Sequence, residues 1–237
     1  MTPVGRHCRS TAERRLIVSD SAEISAVPFR AKEALTAAAL GSTMVLFDPI
    51  RGETNLVAAA ASATTEQLAF LIRHTSGFVN IVVSQHDCER LQLPPMWPLA
   101  NAAPRRNLAV SVDAVVGVGT GISAADRAHT IRTVADPGAV AADLSRPGHV
   151  VPVIAHDPAW SAMFGITPTY GAPEAVVDLM RVARLQPLGA LCELVSPVDE
   201  TRMADETEGL AFARNHALTY LSTFDVLATV GSHACPS

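Results

Sequence analysis

The chain has 237 residues, of which 49% are hydrophobic and 17% charged, and its formal net charge is −5. This composition is typical of a globular protein with one substantial core, and it excludes an intrinsically disordered protein. The acidic balance argues against a nucleic-acid partner, because proteins that bind nucleic acid usually present a basic face.

The ends of the chain and the cysteines indicate a cytoplasmic protein with one domain. No stretch approaches the roughly 20 apolar residues needed to cross a bilayer, so we expect no membrane role. Residues 1–26 contain arginines but no apolar segment behind them, which predicts a disordered tail and not a secretory signal. Four widely spaced cysteines form no C-x-x-C pair, which disfavours a zinc site and a disulfide framework. We expect one domain at residues 27–229 and a second tail at 230–237.

Helical and strand patterns alternate along this domain. Pro28 opens a helical stretch over residues 29–40, and Thr64 with Gln67 forms a capping box for a helix that ends near His74. Ser123 caps a further helix. The remaining predicted helices cover residues 173–183, 210–216 and 224–227, and the predicted strands cover 43–48, 56–61, 78–84, 108–113, 150–154, 188–194 and 218–221. This order predicts a single-domain α+β fold with a mixed β-sheet flanked by helices.

Three segments place polar groups beside predicted strands. Three glycines at positions 117, 119 and 121 form a loop whose backbone N–H groups could cradle an anion or simply make a turn. A Pro-Gly turn at 147–148 presents His149 just before a strand, where the imidazole could transfer protons or be structural. Glu193 ends an apolar strand, where a carboxylate is costly unless it is paired or functional.

Four motifs carry a resemblance to a known family. The segments TGISAADRAHTIR, RPGHVVP, EAVVDLMRVA and LGALCEL, in this order, resemble the signature stretches of the 3,4-dihydroxy-2-butanone 4-phosphate synthases of riboflavin biosynthesis. The resemblance implies a homodimeric α+β lyase that converts ribulose 5-phosphate to a four-carbon ketone phosphate and formate, with Mg²⁺ or Mn²⁺ at sites shared between subunits. It implies that His149 and Glu193 match catalytic positions and that Thr120 matches a substrate-binding position.

The acidic loop of the family departs from its pattern in this sequence. The family pattern is D-D-x-D-R-E-N-E-G-D-L, and the matching stretch here reads FDPIRGETNL. Arg51 keeps the substrate-binding arginine, whereas Gly52 replaces the metal-binding glutamate and Asn55 replaces the substrate-contacting aspartate. The loop is also one residue shorter, and Glu53 is a candidate to occupy the vacant place as a metal ligand.

A second metal-binding element, R-x-G-H-T-E in the family, reads TYGAPE here. Thr169 replaces the phosphate-contacting arginine and Ala172 replaces the metal-ligating histidine, whereas Glu174 remains as a substrate-binding candidate. Mg²⁺ needs hard ligands in near-octahedral geometry, so the resemblance implies a degraded metal site.

Two functions follow from the resemblance and its departures. The first is a lyase acting on ribulose 5-phosphate or a related ketose by proton abstraction beside the carbonyl, so that the partner is a small sugar or sugar phosphate. The second is a catalytically silent paralogue that serves as a binding or regulatory subunit. Little sequence follows Leu227, so we expect no zinc-binding cyclohydrolase domain of the kind that some relatives carry.

Overall fold

The computed structural model describes residues 27–96, 107–157 and 169–233. The predicted tail at 1–26 and residues 234–237 lie outside these ranges, whereas residues 230–233 belong to the last helix. Within the described ranges, no helix is long and apolar enough to span a membrane.

The described residues form seven helices and seven strands. The helices are α1 (Val27–Ala39), α2 (Thr65–His74), α3 (Gln85–Leu91), α4 (Ala124–Ala135), α5 (Ala172–Val182), α6 (Glu206–Asn215) and α7 (Thr223–His233). The strands are β1 (Met44–Asp48), β2 (Glu53–Ala59), β3 (Asn80–Val83), β4 (Val112–Ala114), β5 (Leu144–Ile154), β6 (Gly189–Glu193) and β7 (Thr219–Ser222).

All seven strands belong to one mixed sheet in the order β4-β5-β3-β6-β2-β1-β7. Two neighbouring pairs are parallel, β1 with β7 and β3 with β5, and the other pairs are antiparallel. The predicted single-domain α+β fold with a mixed, helix-flanked sheet is therefore confirmed.

Helices cover both faces of the sheet and bury two apolar clusters. One cluster joins Leu56 and Ile81 to residues of α2, α3 and α4. The other joins Leu46, Val57 and Leu191 to residues of α1, α5 and α7. Successive side chains of a strand point to opposite faces of the sheet. The polar residues two positions away from Leu46, Val57 and Leu191 therefore lie on the same face of the sheet as α5.

The predicted helix caps are confirmed in the structure. The Thr64 hydroxyl accepts a hydrogen bond from the Gln67 backbone N–H, and the Gln67 side chain accepts one from the Thr64 backbone N–H. The Ser123 hydroxyl accepts a hydrogen bond from the Asp126 backbone N–H at the start of α4. Each cap satisfies a donor that the first helical turn leaves without a partner.

Several element boundaries differ from the predictions. Strand β5 begins at Leu144, not at residue 150, and the strand predicted at 108–113 is limited to Val112–Ala114 with an isolated bridge at Leu108. Helix α3 was not predicted, because its seven residues are too few to show a helical period. Helix α6 begins before residue 210, since Asp205 caps it by accepting from the Glu208 N–H.

Candidate active site

A histidine–aspartate pair lies where β4 meets β5. The Nδ1–H of His149 donates to Oδ2 of Asp113 at 2.7 Å, and the backbone N–H of His149 donates to Oδ1 at 2.9 Å. The Asp113 side chain is 10% exposed and that of His149 is 39% exposed. A buried carboxylate thus holds an imidazole that reaches solvent, and it fixes which ring nitrogen carries the proton.

The R-P-G-H motif produces this arrangement through an irregular strand. The register passes from Val112 opposite Val150 to Asp113 opposite Ser145, so residues 146–149 bulge out of β5. A Cβ on Gly148 would lie 2.0 Å from the carbonyl carbon of Val112, which only glycine avoids. The bulge redirects His149 toward the carboxylate of Asp113.

The glycine loop between β4 and α4 closes over the same pair. A Cβ on Gly121 would lie 2.1 Å from Oδ2 of Asp113 and 2.7 Å from Nδ1 of His149. Carboxylate oxygens of Asp126 accept the N–H groups of Gly119 (3.3 Å) and Gly121 (3.0 Å). These hydrogen bonds, first the one from Gly119, lower the pKa of Asp126. The Asp126 carboxylate thus occupies two backbone N–H donors that a bound anion could otherwise use. Thr120, between Gly119 and Gly121, is exposed.

A second group of charges forms at the loop between β1 and β2. The Asp48 carboxylate is buried and accepts the backbone N–H groups of Ile50 (3.0 Å) and Arg51 (3.2 Å) through Oδ1. Its Oδ2 accepts the N–H of Ala172 (3.2 Å) and lies 3.8 Å from Nε of Arg51. Asp48 therefore ties the loop to the start of α5, and the Arg51 side chain remains 35% exposed.

Glu174 also has its carboxylate engaged by backbone groups. One oxygen accepts the N–H of Gly171 (3.0 Å) and the other accepts the N–H of His156 (2.8 Å). The start of α5 is thus capped by two acidic side chains of the chain itself, which suits the positive end of the helix dipole.

Glu193 and Asn55 are direct neighbours across the sheet. Asn55 on β2 is paired with Glu193 on β6, and alternation places both on the α5 face. Asn55 is 2% exposed, whereas Glu193 is half-buried. The next residue before Glu193, Cys192, is buried, and burial raises the pKa of its thiol to about 12. That thiol is protonated at neutral pH, as expected for a buried, inert cysteine.

At the two positions where the sequence resemblance implies metal ligands, this chain has no ligating side chain. Gly52 adopts φ of +67° in the tight loop, and Ala172 is buried among apolar side chains. Glu53 begins β2 directly opposite Asp48. Among the described residues, no three His, Cys, Asp or Glu side chains form a group that could hold a metal ion.

A separate cleft of about 1140 Å³ opens between α1, α2, α6 and β7. Its lining includes Lys32, Phe70, Arg214 and His216, but not His149, Glu193 or Arg51. The lining of the cleft therefore contains none of these three candidate residues.

Comparison with known proteins identifies the family. The family model of 3,4-dihydroxy-2-butanone 4-phosphate synthase matches residues 32–229. The chain belongs to this family.

The riboflavin biosynthesis protein RibBA of Nocardia farcinica is 44% identical over 197 residues, which is 82% of this chain and 46% of that protein. RibBA of Mycobacterium tuberculosis is 42% identical over 191 residues, or 80% of this chain and 44% of that protein. The chain thus spans about half the length of the curated relatives it matches.

Solved structures of the 3,4-dihydroxy-2-butanone 4-phosphate synthase family share the fold. A synthase in complex with two magnesium ions superposes with a TM-score of 0.75 at 32% identity, covering 85% of this chain and 96% of that one. The synthase of Candida albicans gives a TM-score of 0.72 at 31% identity, covering 84% of this chain and 96% of that one.

Sequence reasoning missed the residues that hold the candidate side chains. The role of Asp113 was not predicted, although the alternation of residues 108–113 ends on that carboxylate. The bond from Asp48 to the start of α5 was not predicted either, because it depends on a contact between residues 124 positions apart. Such a contact leaves no local pattern in the sequence.

Proposed function

We propose that the chain is a lyase of the 3,4-dihydroxy-2-butanone 4-phosphate synthase type, acting on ribulose 5-phosphate or a related ketose in riboflavin biosynthesis. Family membership supports the reaction class, and the retained His149 and Glu193 support the chemistry. The single observation that carries the proposal is the short hydrogen bond between His149 Nδ1 and Asp113 Oδ2.

This pair suits removal of a proton from the carbon beside a carbonyl. With the proton of the neutral ring on Nδ1, the lone pair of Nε2 is left to accept the substrate proton. The electron pair of the broken C–H bond becomes the double bond of an enediolate, and the carbonyl oxygen takes the negative charge. Asp113 then stabilises the imidazolium that forms.

The other candidate residues are assigned to binding and to a second proton transfer. Glu193 is the second acid–base group, beside Asn55, whose amide can hydrogen-bond a substrate hydroxyl. Thr120 lies on the loop that closes over the His149 pair. Arg51 is a partly exposed cation that can orient an anionic oxygen, and Glu174 accepts hydrogen bonds near it.

The residues present do not fit a Mg²⁺ or Mn²⁺ ion held as a dedicated cofactor. Gly52 and Ala172 offer no ligand, and the oxygens of Asp48 and Glu174 already accept backbone N–H groups. Hard divalent ions need several oxygen ligands at once, so we propose that the metal site of the family is degraded in this chain. Glu53 remains the candidate single ligand.

We also propose a homodimer in the cytoplasm. Val115, Val116 and Ile122 are at least half exposed and flank the loop beside the His149 pair. An apolar surface of this kind is typical of protein interfaces, and a second copy would cover it. The free, buried Cys88 and Cys192 suit a reducing compartment.

A catalytically silent paralogue is the alternative function. The internal hydrogen bonds of Asp48, Glu174 and Asp126 favour it, because donors and acceptors that could meet a ligand are used within the chain. In that case the protein would serve as a binding or regulatory subunit.

Deuterium incorporation separates the two functions. Purified protein is incubated with ribulose 5-phosphate in D2O, and the C–H groups beside the carbonyl are followed by proton NMR, with formate measured in parallel. The proposal predicts exchange by the unmodified protein and loss of exchange in His149→Gln. Exchange no faster than in protein-free buffer would refute action on ribulose 5-phosphate and favour the silent alternative.

A further inference from the structure

Asn80 is a buried amide on β3 that has one polar atom without a partner. The residue is 0% exposed. Its Nδ2 donates a hydrogen bond to the carbonyl oxygen of Phe78 at 3.1 Å, whereas its Oδ1 is buried and accepts no hydrogen bond from the residues that the structure describes. The contact with Phe78 fixes which amide atom is the oxygen, because a carbonyl oxygen needs a donor. A buried acceptor without a donor is costly, so the Oδ1 of Asn80 calls for a donor from outside these residues.

The sheet places Asn80 on the face that carries the candidate catalytic residues. Val82, two positions later on β3, packs in the cluster on the α5 face, and alternation puts Asn80 on the same face. In the antiparallel pair of β3 with β6, Asn80 lies opposite Leu191, so Glu193 is one row nearer the start of β3. Asn80 and Glu193 are therefore diagonal neighbours, which places their Cβ atoms within roughly 8 Å of each other.

His149 approaches Asn80 from the strand on the other side. Strand β5 is parallel to β3 with Val151 opposite Asn80, which puts His149 one row nearer the start of β3 as well. Its imidazole bonds the carboxylate of Asp113. Val112 packs in the cluster on the opposite face, so Asp113 and the imidazole lie on the α5 face. The buried amide is thus one row behind the gap between the two candidate catalytic side chains.

The Asn80 side chain leans toward that gap. Its hydrogen bond reaches back along the strand to Phe78, which is level with Glu193 on β6 and with His149 on β5. The backbone N–H of Ser76 donates to the Glu193 carbonyl oxygen at 2.9 Å, so the two segments stay together beyond the paired residues. The amide is therefore directed to the space that Glu193 and His149 border.

The other neighbours of Asn80 on this face offer no donor. Leu191 and Val151 lie beside it on the adjacent strands, and Val82 follows it on β3. All three side chains are buried and apolar. A donor for Oδ1 on this face is therefore expected from the direction of Glu193 and His149.

We propose that Asn80 is a substrate-binding residue whose Oδ1 accepts a hydrogen bond from a hydroxyl group of the ketose. The inference rests on the proposed function and adds to it the group that distinguishes a hydroxylated carbon from a deoxygenated one. A polyhydroxy substrate between Glu193 and His149 brings O–H donors to this space, whereas its carbonyl oxygen is only an acceptor. A site of this kind rejects an analogue that lacks the hydroxyl group, because the buried acceptor then stays without a partner.

The test is the affinity for ribulose 5-phosphate and for three analogues that lack the hydroxyl group at C1, C3 or C4, measured by calorimetry. All proteins carry His149→Gln, which blocks the proposed proton removal, so the affinity is measured without turnover. With Asn80 present, at least one analogue is expected to bind about tenfold more weakly than ribulose 5-phosphate. Asn80→Leu is expected to weaken the binding of ribulose 5-phosphate about tenfold and to leave the affinity for that analogue unchanged.

Ser196→Ala, in the same background, is the matched control. Ser196 is also buried, but its hydroxyl donates to Glu208 and accepts the backbone N–H of Asp199, so its partners lie within the chain. The control is expected to lower the thermal midpoint and to leave all four affinities unchanged. Asn80→Leu is expected to keep the thermal midpoint, because it removes an acceptor that has no donor.

Equal affinity of Asn80→Leu and its parent for ribulose 5-phosphate would overturn the inference. An equal loss of affinity for ribulose 5-phosphate and all three analogues would also overturn it, since such a loss indicates a structural role. No detectable binding by the parent would overturn it as well. Asn80→Ala, whose smaller side chain requires no repacking, is measured in the same way and decides the question if Asn80→Leu does not fold.

The deuterium exchange assay separates this inference from the proposed function. Absence of exchange, together with discrimination among the analogues that depends on Asn80, would contradict the proposed proton removal and support the binding role of Asn80. Exchange by the unmodified protein, together with affinities that do not depend on Asn80, would support the proposed function and overturn the inference.

Discussion

Replacement of Asp113 by Asn tests whether this carboxylate determines which ring nitrogen of His149 carries the proton. The carboxylate accepts two hydrogen bonds from His149, at 2.7 Å from Nδ1 and 2.9 Å from the backbone N–H. An Asn side chain can keep the backbone hydrogen bond through its oxygen, but its NH2 group then faces Nδ1. The ring is expected to move its proton to Nε2, which removes the lone pair that would accept the substrate proton.

The size of the effect follows from this geometry. Loss of a hydrogen bond to a charged group costs about 1.5–3 kcal/mol, and the partial exposure of His149 places the stability cost at the lower end. General acid–base catalysis contributes roughly 10²- to 10⁴-fold, so kcat is expected to fall at least about 100-fold with little change in KM. The loss in rate should far exceed the loss in stability.

Two measurements check this expectation. Long-range proton–nitrogen NMR reports which ring nitrogen of His149 is protonated, and formate release from ribulose 5-phosphate reports the rate. Asp143→Asn is the control, because this exposed carboxylate accepts only a local backbone N–H from Val140. A variant Asp113→Asn that keeps the Nδ1–H form and a rate within threefold of the unmodified protein refutes the reasoning.

Three further predictions concern packing, metal and pH. Gly148→Ala is expected to lower the free energy of unfolding in urea by about 3 kcal/mol, because the new Cβ would meet the Val112 backbone. Gly138→Ala, in an exposed turn, is the control and should cost far less. Equal effects of the two substitutions would contradict the close approach at Gly148. Gly52→Glu is expected to lower the free energy of unfolding by about 1–2 kcal/mol, because residue 52 has a left-handed backbone conformation. It is also expected to show no Mg²⁺ binding by calorimetry. A measurable gain in Mg²⁺ affinity would contradict the proposal that the metal site is degraded. Burial first, and then the charges of His216 and Arg73, lower the pKa of folded His74, so its stabilising contribution is present above about pH 6.5 and is lost as pH falls below that value. The thermal midpoint of the unmodified protein should therefore fall further between pH 7 and 5.5 than that of His74→Phe, and an equal fall in both would remove this explanation.

The fold was largely predictable because its signals are local. The helix caps and apolar runs mark α2, α4 and most strands within a few residues. Helix α3 escaped prediction because a seven-residue helix shows less than two full periods. The full length of β5 was not predicted, because the Pro-Gly pair at 147–148 indicates a turn, whereas in the structure it forms a bulge inside the strand.

The candidate site was predictable only in part, because the sequence shows side chains and not their partners. His149 and Glu193 could be singled out from motifs, and the resemblance implies that Gly52 and Ala172 stand where relatives carry metal ligands. The partners of Asp113 and of the two carboxylates at the start of α5 depend on how distant segments pack. The structure supplies those contacts, and they explain why the motif glycines occur beside the histidine.

We propose that this member of the family depends on the His149 pair and not on a dedicated divalent ion. Formate release from ribulose 5-phosphate, measured with excess Mg²⁺ and again with EDTA, tests it most directly. The rate is expected to survive chelation within about threefold and to disappear in His149→Gln. A rate that requires Mg²⁺ and returns on its addition would contradict the account.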